Sequence, residues 1–306
     1  MTDQLEIKEA FKKIQDSICA DLEALDGTAK FKEDLWNRPG GGGGRTRVIL
    51  DGDILEKGGV NFSAVHGSTT PELKQQLKTE AEKFFATGVS IVVHPNHPRV
   101  PIIHMNIRYF QLEDGTAWFG GGIDLTPHYI NPEDALEFHN RLKQICDQTN
   151  PKWYERYAAW ADDYFYIPHR KETRGIGGVF FDHLKAGQDG ASKSDIFNFT
   201  CNLGNSFAEI YASLVNKHRN EPRVESEREW QLLRRGRYVE FNLVHDRGTR
   251  FGLVSDGRTE SILMSLPNTA NWAYDHQPMV GTAEHETLNG LKKGKWRAHS
   301  SRSKTA

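Results

Sequence analysis

Three side chains with chemical capability alternate along the segment PIIHMNIRYF, at residues 101–110. Successive side chains of a β-strand point to opposite faces, so a strand here would place His104, Asn106 and Arg108 in one row. The row would present a group that carries protons near neutral pH, an amide and a guanidinium. A lone strand histidine is more often a core or edge residue, but three such residues in a row favour a functional face.

A run of three glycines precedes an acidic residue in the next strand-like segment, AWFGGGIDLTP. Glycine weakens a strand and often marks the close approach of a ligand or of another backbone, and Gly120–Gly122 are interpreted in this way. Asp124, just beyond them, would then be well placed over a flat ligand. The alternative is a bulge or a bend in which Asp124 caps a turn.

Residues 236–265 contain three strand-like runs separated by two turn-like segments, 246–249 and 255–258. Short Gly-containing turns between apolar runs predict an antiparallel meander. Four arginines lie near these turns: Arg237, Arg247, Arg250 and Arg258. Arginine is suited to bidentate recognition of carboxylates, so this rim indicates a ligand with several carboxylates. The alternative is a rim that is simply solvated.

Four histidines could form a cluster if the predicted strands pair and the helix after Asn131 turns its histidine inward. They are His94, His104, His139 and His169. Histidine is a common ligand of divalent metals, but this spacing matches no short metal signature such as HExxH. A divalent metal therefore remains a hypothesis at this point.

The periodicity predicts helices before and after a block of strands. Helices are expected at residues 4–25, with Gly27 as a stop, at 71–86, at 131–150, at 152–164 and at 204–218. Gly40–Gly44 are interpreted as a flexible loop, with a loop that moves over a site or meets a partner subunit as the alternative. This order predicts a single α+β domain over residues 1–281. The polar, basic segment 282–306 is expected to be poorly ordered.

Composition excludes several classes of protein. The chain has 306 residues and a formal net charge of −2, which argues against a nucleic-acid-binding protein. No apolar run approaches the ~18 residues that span a bilayer, and the N-terminal segment resembles neither a signal peptide nor a transit peptide. Three well-separated cysteines predict free thiols in a reducing compartment, so a cytoplasmic location is expected. No flavin or haem motif is visible.

Together these segments resemble the oxygen-dependent coproporphyrinogen III oxidases. The similarity covers residues 36–274, in order, through GVSIVVHP, HMNIRYF, WFGGGIDLTP, YFYIPHR, RGIGGVFFD and RRGRYVEFNLVHDRGTRFGL…GRTESILMSLP. It implies a large antiparallel sheet sandwiched between helix layers, in a homodimer. It also implies oxidative decarboxylation of two propionates of coproporphyrinogen III to vinyl groups by molecular oxygen, which gives protoporphyrinogen IX in haem biosynthesis.

The resemblance also implies roles for individual residues. His104 corresponds to the proton donor and Asp124 to the acid of the GGGxDLTP motif. The implied substrate contacts are Ser90, Asn106, Ile107, Arg108, Asp256, Gly257 and Arg258. The positions assigned to a divalent metal in bacterial relatives match His94, His104, His139 and His169. Because a ligand nitrogen is not free to donate a proton, the proton role is favoured for His104.

Two other functions remain open at the level of sequence. A tetrapyrrole carrier without catalytic activity would use the same arginines but would not need His104 or Asp124. A histidine-metal oxygenase or hydrolase acting on another class of substrate would need the metal.

Overall fold

The computed structural model describes residues 3–254 and 257–298. Its centre is an antiparallel sheet of seven strands in the order β1-β2-β3-β4-β5-β6-β9. The strands are β1 (Lys32–Asn37), β2 (Gly42–Leu50), β3 (Leu55–Ser68), β4 (Lys83–Pro95), β5 (Ile102–Leu112), β6 (Ala117–Thr126), β7 (Tyr166–Ile167), β8 (Glu172–Thr173) and β9 (Gly178–Leu184). The two short strands β7 and β8 pair separately.

Helices cover both faces of the sheet, so the expected α+β architecture is confirmed. They are α1 (Gln4–Asp26), α2 (Pro71–Leu77), α3 (Pro132–Asp147), α4 (Trp153–Tyr164), α5 (Lys193–His218), α6 (Glu225–Glu240), α7 (Arg247–Val254), α8 (Thr259–Leu263) and α9 (Ala283–Gly290). A π-helical turn, Phe241–His245, connects α6 to α7. We call the segment from α6 to α8 the helical cover.

One face of the sheet carries the main hydrophobic core. Helices α1 and α5 pack on the central strands, and α4 packs on β9. Helix α1 presents Ile7, Phe11, Ile14, Ile18 and Leu22 to this core at helical spacing, all of them buried. Fully burying a side chain of this kind contributes ~1.5–3 kcal/mol. The expected stop is confirmed, because Gly27 is left-handed at the C-cap with φ 87°.

The opposite face of the sheet, which we call the strand face, carries the polar row. In β5, Ile103, Met105 and Ile107 are buried in the core, whereas His104, Asn106 and Arg108 alternate with them on the other side. The neighbouring strands extend the row: Ser90 lies opposite Asn106, and Asp124 lies opposite His104. The alternation predicted from the sequence is therefore confirmed.

The predicted meander at residues 236–265 is wrong for the described part of this range, which forms helices of the helical cover. Residues 255 and 256 of the second predicted turn lie outside the described residues. Trp230, Arg234, Tyr238 and Phe241 are buried at spacings of three and four, a pattern that favours a helix over a strand. The first supposed hairpin turn is a helix start, in which the Asp246 carboxylate accepts a hydrogen bond of 2.7 Å from the Thr249 amide. An aspartate followed by glycine suits either structure, and the tertiary packing decides between them.

Two other local predictions need correction. Helix α2 ends at Leu77 rather than near residue 86, and residues 83–86 begin β4 in pairing with β3. The supposed glycine loop is a strand from residue 42 onward. A Cβ at Gly44 would come within 2.2 Å of the Trp36 ring, so this glycine makes room for a side chain of the adjacent strand.

The first part of the segment predicted to be a poorly ordered tail has regular structure, and residues 299–306 lie outside the described residues. The described part, up to residue 298, contains α9 and then packs against α4. The Arg297 guanidinium lies 2.5 Å from the Asp162 carboxylate, and the Ala298 amide donates a 2.7 Å hydrogen bond to the Tyr154 hydroxyl.

Among the described residues, no helix combines the length and the apolar character needed to cross a membrane.

Candidate active site

A cavity of about 570 Å³ lies between the strand face and the helical cover. The strands contribute Ser90, His104, Asn106, Arg108, Trp118, Phe180 and Asp182 to its lining. The helical cover contributes Tyr238, Asn242, Asp246, Arg247, Thr249 and Ser261. A volume of this size lies within the range of roughly 300–1,000 Å³ that is typical of small-molecule and cofactor sites. The polar row predicted from the sequence therefore lies inside a ligand-sized cavity.

His104 and Asp124 are directly hydrogen-bonded across neighbouring strands. The His104 Nδ1 lies 2.8 Å from Asp124 Oδ1, and the carboxylate is only 1% exposed. Such a contact fixes the orientation of the imidazole and leaves its second nitrogen for the ligand. The ring also meets Phe165 edge-on, with centroids 6.1 Å apart. His104 is thus fixed by Asp124 through Nδ1 while its side chain lines the cavity.

Arg174 completes this buried network. Its Nη2 donates to Asp124 Oδ1 at 2.7 Å and its Nε to Asp124 Oδ2 at 3.2 Å. The guanidinium carbon lies 4.4 Å from the ring centroid of Phe165 and 4.6 Å from that of Phe241. Burial alone would raise the pKa of Asp124, but Arg174 and His104 outweigh it, so the pKa is lowered and the carboxylate is ionised.

The role of Arg174 was not identified from the sequence. The signal was present, because Arg174 precedes the glycine-rich segment GIGG. A Cβ at Gly175 would come within 2.0 Å of the Leu125 carbonyl oxygen, and one at Gly178 within 1.9 Å of the Ile123 carbonyl oxygen. These glycines let the chain approach β6 closely, which brings Arg174 to the acid on that strand.

Arg108 lies further along the same row and is less buried. Its Nη1 donates to Asn106 Oδ1 at 2.7 Å, and its Nη2 lies 3.0 Å from the Asp182 carboxylate. The side chain remains 38% exposed, so it can still meet a ligand. Asp182 is a second residue that sequence reasoning missed.

The other predicted substrate contacts are placed differently. Ser90 lines the cavity beside Asn106. The Ile107 side chain is 1% exposed in the core, so only its backbone runs along the cavity. Arg258 pairs with Asp34 of β1 and lies 3.3 Å from the Ser261 hydroxyl. Gly257 packs its backbone near Gly252, and Asp256 lies outside the described residues.

The remaining arginines of the predicted rim have separate environments. Arg237 pairs with Glu240 of its own helix at 3.1 Å, and Arg250 is exposed. Arg247 alone of these three lines the cavity, with its guanidinium 5.6 Å from the Tyr164 ring centroid. Fewer of these arginines therefore line the cavity than the sequence predicted.

The four candidate metal-binding histidines do not converge. His94 contacts the Ser265 carbonyl oxygen at 2.8 Å, and His139 contacts the Ile176 carbonyl oxygen at 2.9 Å and the Tyr154 hydroxyl at 3.0 Å. His169 contacts His245 and Glu240. Within the described residues there is no group of three or more His, Cys, Asp or Glu side chains that could hold a metal ion. The proposed ligand set does not fit a metal here.

Burial keeps two of these histidines neutral. It lowers the pKa of His94 to about 3, with a further contribution from the positive charge of Arg235. It also lowers the pKa of His139 to about 4. Both side chains are therefore uncharged parts of the interior at neutral pH.

Comparison with known proteins agrees with this geometry. The family model of coproporphyrinogen III oxidase matches residues 6–296. The oxygen-dependent coproporphyrinogen-III oxidase of Drosophila melanogaster is 48% identical over 92% of this chain and 75% of its own length. The chloroplastic coproporphyrinogen-III oxidase 1 of Arabidopsis thaliana is 48% identical over 90% of this chain and 74% of its own. The mitochondrial oxygen-dependent enzyme of Homo sapiens is 48% identical over 91% and 63%, respectively.

The chain therefore belongs to the coproporphyrinogen III oxidase family.

Proposed function

We propose that this chain is an oxygen-dependent coproporphyrinogen III oxidase that acts in haem biosynthesis. Family membership supports the activity, and the observation that carries it in the structure is the His104–Asp124–Arg174 network beneath a 570 Å³ cavity. Two propionates of coproporphyrinogen III become vinyl groups. Each propionate loses CO₂ and a hydride equivalent to form the vinyl group, and molecular oxygen takes up the hydride equivalent and one proton to give hydrogen peroxide.

Arg108, Asn106 and Ser90 are proposed to bind the substrate. They lie side by side on the strand face, and Arg108 is the strongest candidate for a propionate because its side chain is partly exposed and lines the cavity. A charge-assisted hydrogen bond of this kind contributes roughly 1.5–3 kcal/mol. Arg247 offers a second cation from the helical cover. A substrate with four carboxylates can engage both walls of the cavity.

His104 is proposed to be the proton donor at the reacting centre. Its Nδ1 is held by Asp124, so Nε2 is the atom that can meet the substrate. Asp124 already binds Arg174 and His104 and is almost fully buried. We therefore assign it to orienting His104 and stabilising its charged form, rather than to direct contact with a pyrrole N–H.

The decisive experiment is turnover of coproporphyrinogen III with and without oxygen, followed by product mass and porphyrin fluorescence. We expect loss of two CO₂ per substrate only when oxygen is present. The wild type is compared with Asp124→Asn, which keeps the shape of the side chain but removes the negative charge that orients His104. Binding without turnover in the wild type would favour a tetrapyrrole carrier instead.

Molecular oxygen is proposed as the co-substrate, and the relatives are named as oxygen-dependent enzymes. No step is assigned to a metal, since the described residues do not gather a set of three or more His, Cys, Asp or Glu ligands. Oxygen would react with the electron-rich substrate directly, and the protein would supply position and electrostatics.

A homodimer is proposed from the exposed apolar side chains of residues 243–280. Large apolar side chains in this segment lie open to solvent: Leu243, Val244, Val254, Trp272, Tyr274, Met279 and Val280. Apolar surface of this kind commonly marks a protein interface. Light scattering at micromolar concentration should give about twice the chain mass of 34.8 kDa. A monomer whose mass does not change with concentration would contradict the proposal.

A cytoplasmic location is also proposed, on the basis of three free cysteines. Burial raises the pKa of the Cys19 thiol to about 11 and that of Cys201 to about 12, so both are unreactive at neutral pH. The relatives include chloroplastic and mitochondrial proteins, which makes fractionation of the source cells the necessary test.

A further inference from the structure

The strand β9 is irregular where it passes the cavity. Phe119 of β6 lies opposite Leu184, but Gly121 lies opposite Phe181. Two residues of β9, Asp182 and His183, therefore stand opposite the single residue Gly120. This is a β-bulge, a device that re-aims side chains and is frequent next to active sites.

The bulge changes which side chains reach the cavity. Phe181 and Leu184 are buried in the core on one face of β9. With regular alternation His183 would join the core face, yet both Asp182 and His183 line the cavity. The extra residue thus places two neighbouring polar side chains on the strand face while Leu184 keeps its place in the core.

The conformation of the bulge carries a local cost. His183 has φ 49°, in the left-handed region that non-glycine residues avoid by roughly 1–2 kcal/mol. Its amide donates a 2.8 Å hydrogen bond to Asp182 Oδ1, and its ring stacks on Trp118 with centroids 4.9 Å apart. Backbone strain that the surroundings maintain is frequent at sites of function.

Gly120, which lies opposite the bulge, leaves space for the side chains of Arg108 and Asp182. A Cβ at Gly120 would lie 2.7 Å from Arg108 Nε and 2.7 Å from Asp182 Oδ1. Any side chain at this position would therefore push Arg108 and Asp182 apart. The glycine and the bulge, on neighbouring strands, both serve the ion pair of Arg108 with Asp182, whose N–O distance is 3.0 Å.

We propose that Asp182 is a positioning residue that aims the Arg108 guanidinium at a substrate carboxylate, and that the bulge exists to place it there. The inference deepens the proposed function and rests on it. An arginine carries about 2 kcal/mol of rotamer entropy, and ordering the fork before the ligand arrives reduces what binding must still order. Asn106 holds one nitrogen of the fork and Asp182 another, which leaves the remaining N–H groups for the substrate.

A carboxylate beside the substrate site has two opposite effects on binding: it orients Arg108, and it repels an anionic substrate. The experiment shows which effect dominates. If Asp182 mainly repels the anionic substrate, removing it should tighten binding. If it aims Arg108, Asp182→Ala should raise KM about tenfold with kcat within twofold, since a charge-assisted contact is weakened equally in substrate and transition state. Asp182→Asn should lie between, and Gly120→Ala should reproduce the Asp182→Ala effect.

A double variant distinguishes positioning from a purely structural role. In an Arg108→Lys background, Asp182→Ala should add less than a twofold change, because an ammonium has no planar fork to orient. Glu209→Gln, which removes an exposed Arg141 pair with an N–O distance of 2.7 Å, serves as the matched control and should leave KM unchanged. Additive effects of the two substitutions, or an unchanged or lower KM in Asp182→Ala, would overturn the proposal.

Binding is measured in parallel with coproporphyrin III, the unreactive oxidised porphyrin, by fluorescence anisotropy. The wild type should bind it about tenfold more tightly than Asp182→Ala. If the wild type binds this porphyrin but does not turn over the reduced substrate, the proposed activity fails while the positioning role stands or falls on the affinity ratio. If the wild type neither binds this porphyrin nor turns over the reduced substrate, the positioning role is refuted as well. If it turns over the reduced substrate without binding the porphyrin, the KM ratio decides.

Discussion

Two ion-pair networks, one in the strand face and one around Glu240 of the helical cover, hold their charges in different ways. On the strand face, Asp124 and Arg174 are almost fully buried, and each satisfies the other. On the helical cover, Glu240 pairs with Arg170 and His169, whose side chains are 38% and 44% exposed. Breaking a buried pair leaves an uncompensated charge in a medium of low dielectric, whereas exposed pairs typically contribute 0–1 kcal/mol.

The comparison predicts which network tolerates change. The buried Asp124–Arg174 network should lose both stability and activity when one member is removed. The pairs of Glu240 should respond in a graded way, because water and salt can reach their partly exposed partners. Each substitution below tests one side of this contrast.

The largest effect is expected from Arg174→Leu, which leaves the Asp124 carboxylate buried and unpaired. The free energy of unfolding, measured in urea, should fall by about 3–5 kcal/mol. Arg174→Leu combined with Asp124→Asn should recover much of this loss, because the buried charge is then removed as well. If Arg174→Leu alone is as stable as the wild type, the ion pair of Arg174 with Asp124 does not contribute to the stability of the fold.

His104→Ala should cost at least about a hundredfold in kcat, near the lower end for general acid–base catalysis. The affinity for coproporphyrin III should remain within about threefold, because the carboxylate contacts are assigned to Arg108 and its neighbours. Single-turnover kinetics in oxygenated buffer measure the first quantity, and anisotropy measures the second. Equal losses in kcat and in affinity would point to a binding role for His104.

The two candidate propionate-binding arginines should differ. Arg108→Ala should lower kcat/KM by about ten- to a hundredfold, the size of one lost charge-assisted contact. Arg258→Ala should change it by less than about tenfold, since Arg258 pairs with Asp34 at the edge strand rather than lining the cavity. A larger loss in Arg258→Ala would mean that substrate binding draws this part of the helical cover over the cavity.

The strand face was predictable because strand periodicity is local. The alternation of His104, Asn106 and Arg108 with apolar neighbours fixes their shared face whatever the rest of the chain does. The pairing of His104 with Asp124 depends on register, and Arg174 reaches them only through packing of a distant loop. Sequence reasoning therefore found the residues of β5 and β6 but missed the cation that binds them together.

The helical cover was mispredicted because its pattern is ambiguous. The segment YVEFNLV combines aromatic and β-branched residues, which favour a strand, with a helical spacing that continues from Trp230. The Asp246 side chain caps a helix rather than forming a hairpin. Local propensity gave the wrong type of element here, and the burial of Tyr238 and Phe241 against the strand face decided the outcome.

Acid should weaken the ion pairs of Glu240 in a defined pH range. Burial alone would raise the pKa of Glu240, but hydrogen bonds from Arg170 and His169 outweigh it and lower the pKa to about 2. The resulting stability is complete above the usual carboxyl pKa and is lost as the pH falls through about 2. After allowance for the exposed partners, the difference between wild type and Glu240→Gln should shrink by about 1–2 kcal/mol over this range.

The measurement is a urea titration of both proteins at pH values from 6 down to about 2. The wild type should lose its advantage over Glu240→Gln progressively with acid. A difference that stays constant over this range would mean that the Glu240 carboxylate has an ordinary pKa. Lys293→Gln, which removes the exposed pair with Asp163, is the control and should show little pH dependence in this comparison.

The smallest effect is expected from a chelator, which asks whether the four candidate metal-binding histidines act together. To gather around one ion, His94 and His139 would have to leave backbone carbonyl oxygens at 2.8 and 2.9 Å, and His104 would have to leave Asp124 or use Nε2. His169 already contacts His245 and Glu240 beside the helical cover. Treatment with EDTA followed by desalting should therefore leave turnover within about twofold, because the proposed proton role of His104 requires a free nitrogen.

If EDTA abolishes turnover and one divalent ion restores it, the histidines must rearrange around that ion in the active state. His104 would then be a metal ligand, and the proton would have to come from another group on the strand face.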